Sequence, residues 1–172
     1  SSIYLDALKA TYFTNSITGN GAVTNEVDDQ YGQVLVLTPG DAAPYGVARD
    51  LPQSTNGSHA ISFLIKKDAL LTNFQVQLFF KDFAYQTYIT LDKSPSPLDV
   101  DTWQRLVIPV GGADGSFGTI DAATVKTLRA IKFRATGAGT KLRIADFKVH
   151  AVFSKSVTFF FDDARKDTFT TA

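Results

Sequence analysis

Phe74-Gln75-Val76-Gln77-Leu78-Phe79-Phe80 is a strand written in period two. The even positions share one face, and Gln75, Gln77 and Phe79 share the other, because successive strand side chains point to opposite sides. One apolar side and one mainly polar side suit a sheet that is buried on one face and wetted on the other. The same rhythm recurs in Ala60–Lys66, Tyr85–Leu91, Trp103–Val110, Leu128–Ala135 and Lys141–Val149, runs rich in Val, Ile, Phe, Tyr and Thr. Strands near Gly32–Leu37 and Tyr45–Leu51 bring the expected set to about eight. Turn-forming residues cluster between them at Gln53–Ser58, Asp92–Asp99, Gly111–Gly118 and Thr136–Thr140. Gly19–Gln30, rich in Gly, Asn and Asp, is expected to be a loop. Within this region helical character is confined to Asp121–Val125, where Asp121 can cap a single turn. Many short strands without a βαβ rhythm predict an all-β fold, a two-sheet antiparallel β-sandwich.

Composition narrows the function classes. With 172 residues, 44% of them hydrophobic, the chain is long enough for one well-filled domain and a short appendage. Lys+Arg and Asp+Glu both number 17, so no net field draws the protein to nucleic acid or to an anionic membrane. The lack of Cys excludes disulfides, thiolate zinc sites and thiol nucleophiles. No apolar run approaches the roughly 18 residues of a membrane helix, so membrane insertion is not expected. Met is absent even at position 1, which is expected of a processed or excised chain. Gly-x-Ser-x-Gly, P-loop and Rossmann patterns are all missing.

The order of three motifs is more specific. A strand at His59–Lys66 is followed by Asp101-Thr102-Trp103-Gln104-Arg105-Leu106-Val107-Ile108-Pro109. Later comes Leu142-Arg143-Ile144-Ala145-Asp146-Phe147-Lys148-Val149. This order resembles the galactose-binding-like jelly roll of carbohydrate-binding modules, and the resemblance covers residues 1–151. It implies a jelly-roll sandwich whose partner is a polysaccharide or oligosaccharide, at an extracellular, cell-surface or virion location. It also implies a structural calcium between an early loop and an Asp of the last strand. Asp146 stands where an inward apolar residue is expected, and a buried carboxylate needs a partner. Asn25 and Asp28, with Glu26 and Asp29, supply hard oxygen donors in the early loop. The other reading has those loop carboxylates solvated and Asp146 accepting backbone hydrogen bonds.

Residues 152–172 read differently. Val157–Phe161 is apolar without alternation, as in a strand covered on both faces, and it stops at Asp162-Asp163 before a possible helix. A carboxylate pair at the end of a buried strand is a common catalytic placement in α/β barrels. Phe161-Asp162-Asp163 resembles the first motif of polysaccharide deacetylases. The resemblance implies a strand-helix stub of a second domain, with Asp162 as catalytic base and Asp163 as a ligand of a zinc-like divalent metal. The sequence departs from that family in two ways. Ala164 stands in place of the usual Gly, and the two histidines, His59 and His150, both lie upstream of where a His-x-x-x-His metal motif belongs. The chain by itself is therefore expected to be inactive. The alternative is that Asp162-Asp163 simply ends a strand at the surface.

Within the sandwich, alternation separates Lys132 and Arg134 from Ile131 and Phe133, and Arg105 from Leu106 and Ile108. Strands aligned as in the resembled fold would gather Gln75, Gln77, Tyr88, Arg105, Lys132 and Arg134 on one face. Amides and guanidinium groups make paired planar hydrogen bonds to hydroxyls or carboxylates, and an aromatic ring offers a flat apolar surface to a sugar. The same residues equally describe an ordinary wet sheet face. Trp103 is expected to pack structurally, while Tyr31 and Tyr45 are further candidate platforms. Two functions remain open: a non-catalytic module that brings a deacetylase to its glycan, or an assembly piece, oligomeric, in a phage tail or surface protein.

Overall fold

The computed structural model of the protein describes residues 2–4, 8–16, 19–80, 83–87, 98–109 and 126–151. Ten strands are found among them: β1 (Ser2–Tyr4), β2 (Thr14–Asn15), β3 (Gly21–Asp28), β4 (Gly32–Pro39), β5 (Tyr45–Lys66), β6 (Asn73–Phe80), β7 (Phe83–Thr87), β8 (Gln104–Pro109), β9 (Lys126–Thr136) and β10 (Leu142–Ala151). All named pairings are antiparallel. A single 3-10 turn, Ala10–Tyr12, is the one helical element among the described residues. The all-β expectation holds.

The architecture turns on β5, which runs for 22 residues and serves both layers. Its second half, Ala60–Lys66, lies between β10 and β8 in a sheet of order β3-β4-β10-β5-β8, with β1 also on β10. Its first half, Tyr45–Asp50, lies between β2 and β9 in a sheet of order β2-β5-β9-β6-β7. We call these sheet I and sheet II. The segment between them, read from sequence as the turn Gln53–Ser58, stays in strand conformation and pairs with β9 at Thr55, Asn56 and Ser58. Register shifts on either side of Thr55–Asn56 let one strand change sheets without a loop.

The two inner faces meet in one core. Ile61, Phe63 and Ile65 of sheet I pack toward Phe74, Val76, Ile131 and Phe133 of sheet II, all of them buried. Phe63 and Phe133 cross edge-to-face at 5.6 Å between ring centroids, and Phe147 lies 6.2 Å from Phe63 and 6.3 Å from Phe133. Tyr45, a candidate surface platform, is instead buried in this core. Its hydroxyl donates to Asn15 Oδ1 at 2.9 Å, and burial raises its pKa above the ordinary phenol value.

Gly19–Gln30 reads as a loop in sequence, yet Gly21–Asp28 forms β3 along the whole of β4. It is the outer strand of sheet I and mostly exposed or half-buried, so its sequence carries little hydrophobic alternation. The turn Thr136–Thr140 is present, with Gly137 at φ +133° and Gly139 at φ +75°. A Cβ at Gly137 would come within 2.2 Å of the Leu70 carbonyl oxygen, so this turn sits hard against the β5–β6 connection. Asp68 closes that contact. Its Oδ1 accepts from Thr140 Oγ1 at 2.5 Å and its Oδ2 from the Lys141 backbone N–H at 2.8 Å. Burial pushes the Asp68 carboxyl up, but these hydrogen bonds and those of the Leu70 and Leu71 N–H groups together hold it below the usual value.

Helical turn Asp121–Val125, Tyr88 and residues 152–172, with Asp162 and Asp163, lie outside the described residues.

Candidate functional site

Asp146 shows how one residue sets the outer surface of sheet I. Ala145 pairs with Leu64 and Lys148 with Ser62, so three steps along β10 match two along β5. Asp146 is the extra residue, at φ +51°, a left-handed conformation that Asp tolerates better than most residues. The bulge restores phase: Leu142 and Ile144 point inward before it, Phe147 and Val149 after it. The Asp146 side chain is half-exposed and is the acceptor for Arg105 and Lys148.

That pairing corrects one part of the expected polar face. Arg105 lies on β8, opposite Leu64 of sheet I, and its guanidinium contacts Asp146 Oδ2. Gln75, Gln77, Lys132 and Arg134 lie on sheet II. The physical reason is the change of sheet along β5: β8 pairs with its second half and β9 with its first. The outer face of sheet I is otherwise filled. Val34, Val36, Leu64 and Ala145 form a small buried cluster, with Tyr31 and Trp103 packed against it. The two rings meet edge-to-face at 5.3 Å, and Lys66 Nζ lies 5.7 Å from the Trp103 ring centroid. Arg143 donates to Glu26 Oε1 at 2.8 Å, with Lys141 Nζ 3.7 Å from Oε2, and the hydrogen bond from Arg143 holds the Glu26 carboxyl below its usual range. Trp103 is therefore a packing residue, as expected, and Tyr31 is its partner.

The early-loop donors do not converge with Asp146. Asn25 Oδ1 accepts from the Ala10 N–H at 2.8 Å, and its Nδ2 donates to the carbonyls of Leu8 and Val34 at 2.5 and 3.0 Å. Asp28 Oδ2 accepts from the Gln30 and Tyr31 N–H groups at 2.9 and 3.0 Å, which lowers its pKa. Among the described residues no three His, Asp or Glu side chains gather into a metal-holding group. Asn25, Asp28 and Asp146 are each engaged with protein partners in this arrangement. His150 Nε2 lies 2.9 Å from Ser62 Oγ, a cross-strand contact on the outer side of sheet I.

The outer face of sheet II is built differently. One cross-strand row runs Thr14–Ala48–Lys132–Gln77, and the next brings together Gly46, Arg134 and Gln75. Four of the sequence candidates therefore stand side by side on two neighbouring strands. At the β2 edge this surface opens into a cleft of about 330 Å³ lined by Tyr12, Thr14, Ala48, Arg49 and Asp50. Tyr12 is 45% exposed, and its ring is flanked by Arg49, 4.8 Å from the centroid, and Lys9, at 5.7 Å. Ala48 leaves the floor low. Exposure falls across the face from Thr14 and Asp50 through half-buried Lys132 and Arg134 to Gln77, which is 8% exposed. Gln77 Oε1 is shielded and finds no hydrogen-bond partner among the described residues, a deficit worth about 1–3 kcal/mol if left unmet. Burial, then the charge of Arg134, pulls the Lys132 pKa below its ordinary value.

Tyr12, Thr14, Ala48 and Asp50 were missed from sequence. The alternation Tyr45-Gly46-Val47-Ala48-Arg49-Asp50 does signal an outward row of small residues ending in a carboxylate. What it does not signal is that Thr14 and Tyr12 join it across β2.

Neither a protein-family model nor a curated protein sequence matches this chain. Solved structures do. A family 11 carbohydrate-binding module from Clostridium thermocellum, in complex with a β-1,3-1,4-mixed-linked tetrasaccharide, is similar at TM-score 0.58 and 16% identity, covering 90% of this chain and 98% of that one. The fold shared with it is a jelly-roll β-sandwich. A family 29 module complexed with mannohexaose is similar at TM-score 0.52 and 13% identity, over 87% of this chain and 89% of its own. The enzymatically active domain of a tailspike protein from bacteriophage CBA120 gives TM-score 0.54 at 14% identity, over 84% of this chain and 20% of that one. No helix among the described residues is long and apolar enough to cross a membrane.

Proposed function

We propose that this protein is a non-catalytic carbohydrate-binding module that holds a glycan chain against the outer face of sheet II. The observation that carries this reading is the continuity of the cleft at Tyr12, Thr14, Ala48 and Asp50 with the polar row of Lys132 and Gln77. A low floor admits a polymer chain, the exposed Tyr12 ring offers apolar surface, and charged and amide groups address hydroxyls. The jelly-roll likeness to modules solved with oligosaccharides supports it. Modest affinity suffices for such a role, because tethering raises the local concentration of whatever is attached. An extracellular or surface setting belongs to the same reading.

Affinity electrophoresis in gels containing single polysaccharides tests it. Retardation of the protein in at least one gel is expected, with Ala48→Phe abolishing it and Arg105→Ala, on the other sheet, leaving it intact. Free migration in every gel would end the glycan reading. If light scattering then showed a stable oligomer, the assembly role that the tailspike likeness suggests would take its place.

Service to a polysaccharide deacetylase is a further part of the proposal and rests on the sequence Phe161-Asp162-Asp163. Metal-dependent acetate release by the complete gene product, lost in Asp162→Asn, would support it. Activity that survives that substitution would remove it.

A further inference from the structure

We propose that the glycan is acidic, a uronic-acid polymer, one of whose carboxylates sits against Lys132 and Arg134. This rests on the glycan reading above and adds the charge of the ligand. The two cations stand two residues apart on β9 and so share the outer face of sheet II, about 6–7 Å from each other. Both are half-buried. No carboxylate of the described residues lies within ion-pair distance of either one.

Sheet I treats its cations otherwise: Arg105, Arg143, Lys141 and Lys148 all have Asp146 or Glu26 beside them. A folded chain gains nothing by seating two like charges together, half out of water and with no counter-charge among the described residues. An incoming anion removes that cost. The lowered pKa of Lys132 reports the same crowding.

The geometry favours a carboxylate over a more heavily charged group. The planar fork of Arg134 matches the two oxygens of a carboxylate, and Lys132 adds a point charge. Gln75 lies opposite Arg134 and is half-buried, so its amide flanks the pair for a neighbouring hydroxyl, while Gln77, opposite Lys132, is buried beneath the row. Asp50 lines the cleft next to Ala48. Its carboxylate repels anions, and the more strongly the more charge each sugar carries, so it disfavours a heavily sulfated chain more than a uronic-acid one.

The test compares polygalacturonate with its carboxyl-reduced form, a neutral polymer of the same linkage, by affinity electrophoresis and calorimetry. The acidic polymer is expected to bind roughly tenfold or more tightly, a gap that shrinks as NaCl rises from about 20 to about 200 mM. Lys132→Gln and Arg134→Gln should close the gap, weakening binding of the acidic polymer by a larger factor than that of the neutral one. Arg134→Lys keeps the charge without the fork and should restore part of it; circular dichroism confirms that each variant is folded. Equal binding of both polymers would overturn the acidic assignment and leave the glycan reading standing. Binding of neither, nor of any other polysaccharide, would overturn both. Equally tight binding of dextran sulfate or of DNA would also overturn it, since that outcome means attraction to any polyanion.

Discussion

The two outer faces of the sandwich use similar residue types to opposite ends. On sheet I, Trp103 and Tyr31 cover Val34, Val36, Leu64 and Ala145, and the four surrounding cations share the carboxylates of Asp146 and Glu26. On sheet II the corresponding surface has a low floor at Ala48, and among the described residues it holds two cations without a carboxylate beside them and a shielded amide oxygen without a partner. A protein face that satisfies itself has nothing left to offer a ligand. Unmet hydrogen bonds and charges therefore point to binding better than the number of polar residues does.

Removing Trp103 tests the closed face most severely. Trp103→Ala is expected to cost about 2 kcal/mol, roughly half the value for a fully buried aromatic, because the ring is only half-buried. Denaturant unfolding measures that loss, and glycan retention should not change. If Trp103→Ala instead abolishes binding without loss of stability, the assignment of the two faces is reversed.

Next in size is the bulge. Asp146→Gly and Asp146→Val both delete the carboxylate that Arg105 meets, but only Gly accepts φ +51° without strain. The valine variant should be less stable than the glycine variant by about 1–2 kcal/mol. Equal melting temperatures would mean that the left-handed conformation is not held in solution.

Acid then probes the charge pairing of the closed face. Glu26 has its pKa lowered by its hydrogen bond from Arg143. The stability it contributes is present above its unfolded value of 4.5 and is lost as the pH falls through the lower folded value. Glu26→Gln should cost under about 1 kcal/mol at pH 7, since the pair is partly exposed, and the difference should vanish near the bottom of the titration. Thermal melts of both proteins across the acid range follow it. A difference that persists in strong acid would assign the effect to packing instead.

The smallest effect is on the open face and has the opposite sign. Lys132→Gln removes a half-buried charge beside Arg134 and is expected to raise stability by a few tenths of a kcal/mol while weakening binding of an acidic glycan. A loss of stability would show that Lys132 serves the fold.

Much of this surface was legible in the sequence where pairing is local. Alternation in Phe74–Phe80 and Leu128–Ala135 assigned Gln75, Gln77, Lys132 and Arg134 to outward positions, and the sheet register sets them side by side. Arg105 went astray because its face depends on which half of β5 meets β8, a choice made between residues some forty positions apart. β3 reads as a loop in sequence because a strand wet on both sides has no apolar rhythm to show. The bulge did leave a trace. Ile144 and Phe147 are inward residues three apart, a slip in phase that marks one extra residue. The cleft at Tyr12 was invisible, since β2 is only two residues long and its pairing with Ala48 is long-range.

Because β5 carries Ala48 in one layer and Ile61–Ile65 in the other, it is an inner strand of both. If a polymer binds at Ala48 as proposed, tension applied through it travels along that same backbone into the middle of the opposite layer. There it meets two flanking ladders that must slide past each other together. An edge hairpin under the same load would open one hydrogen bond at a time, like a zipper. A tether anchored this way fails by shear, and a grip on one side of the molecule is borne by its far side.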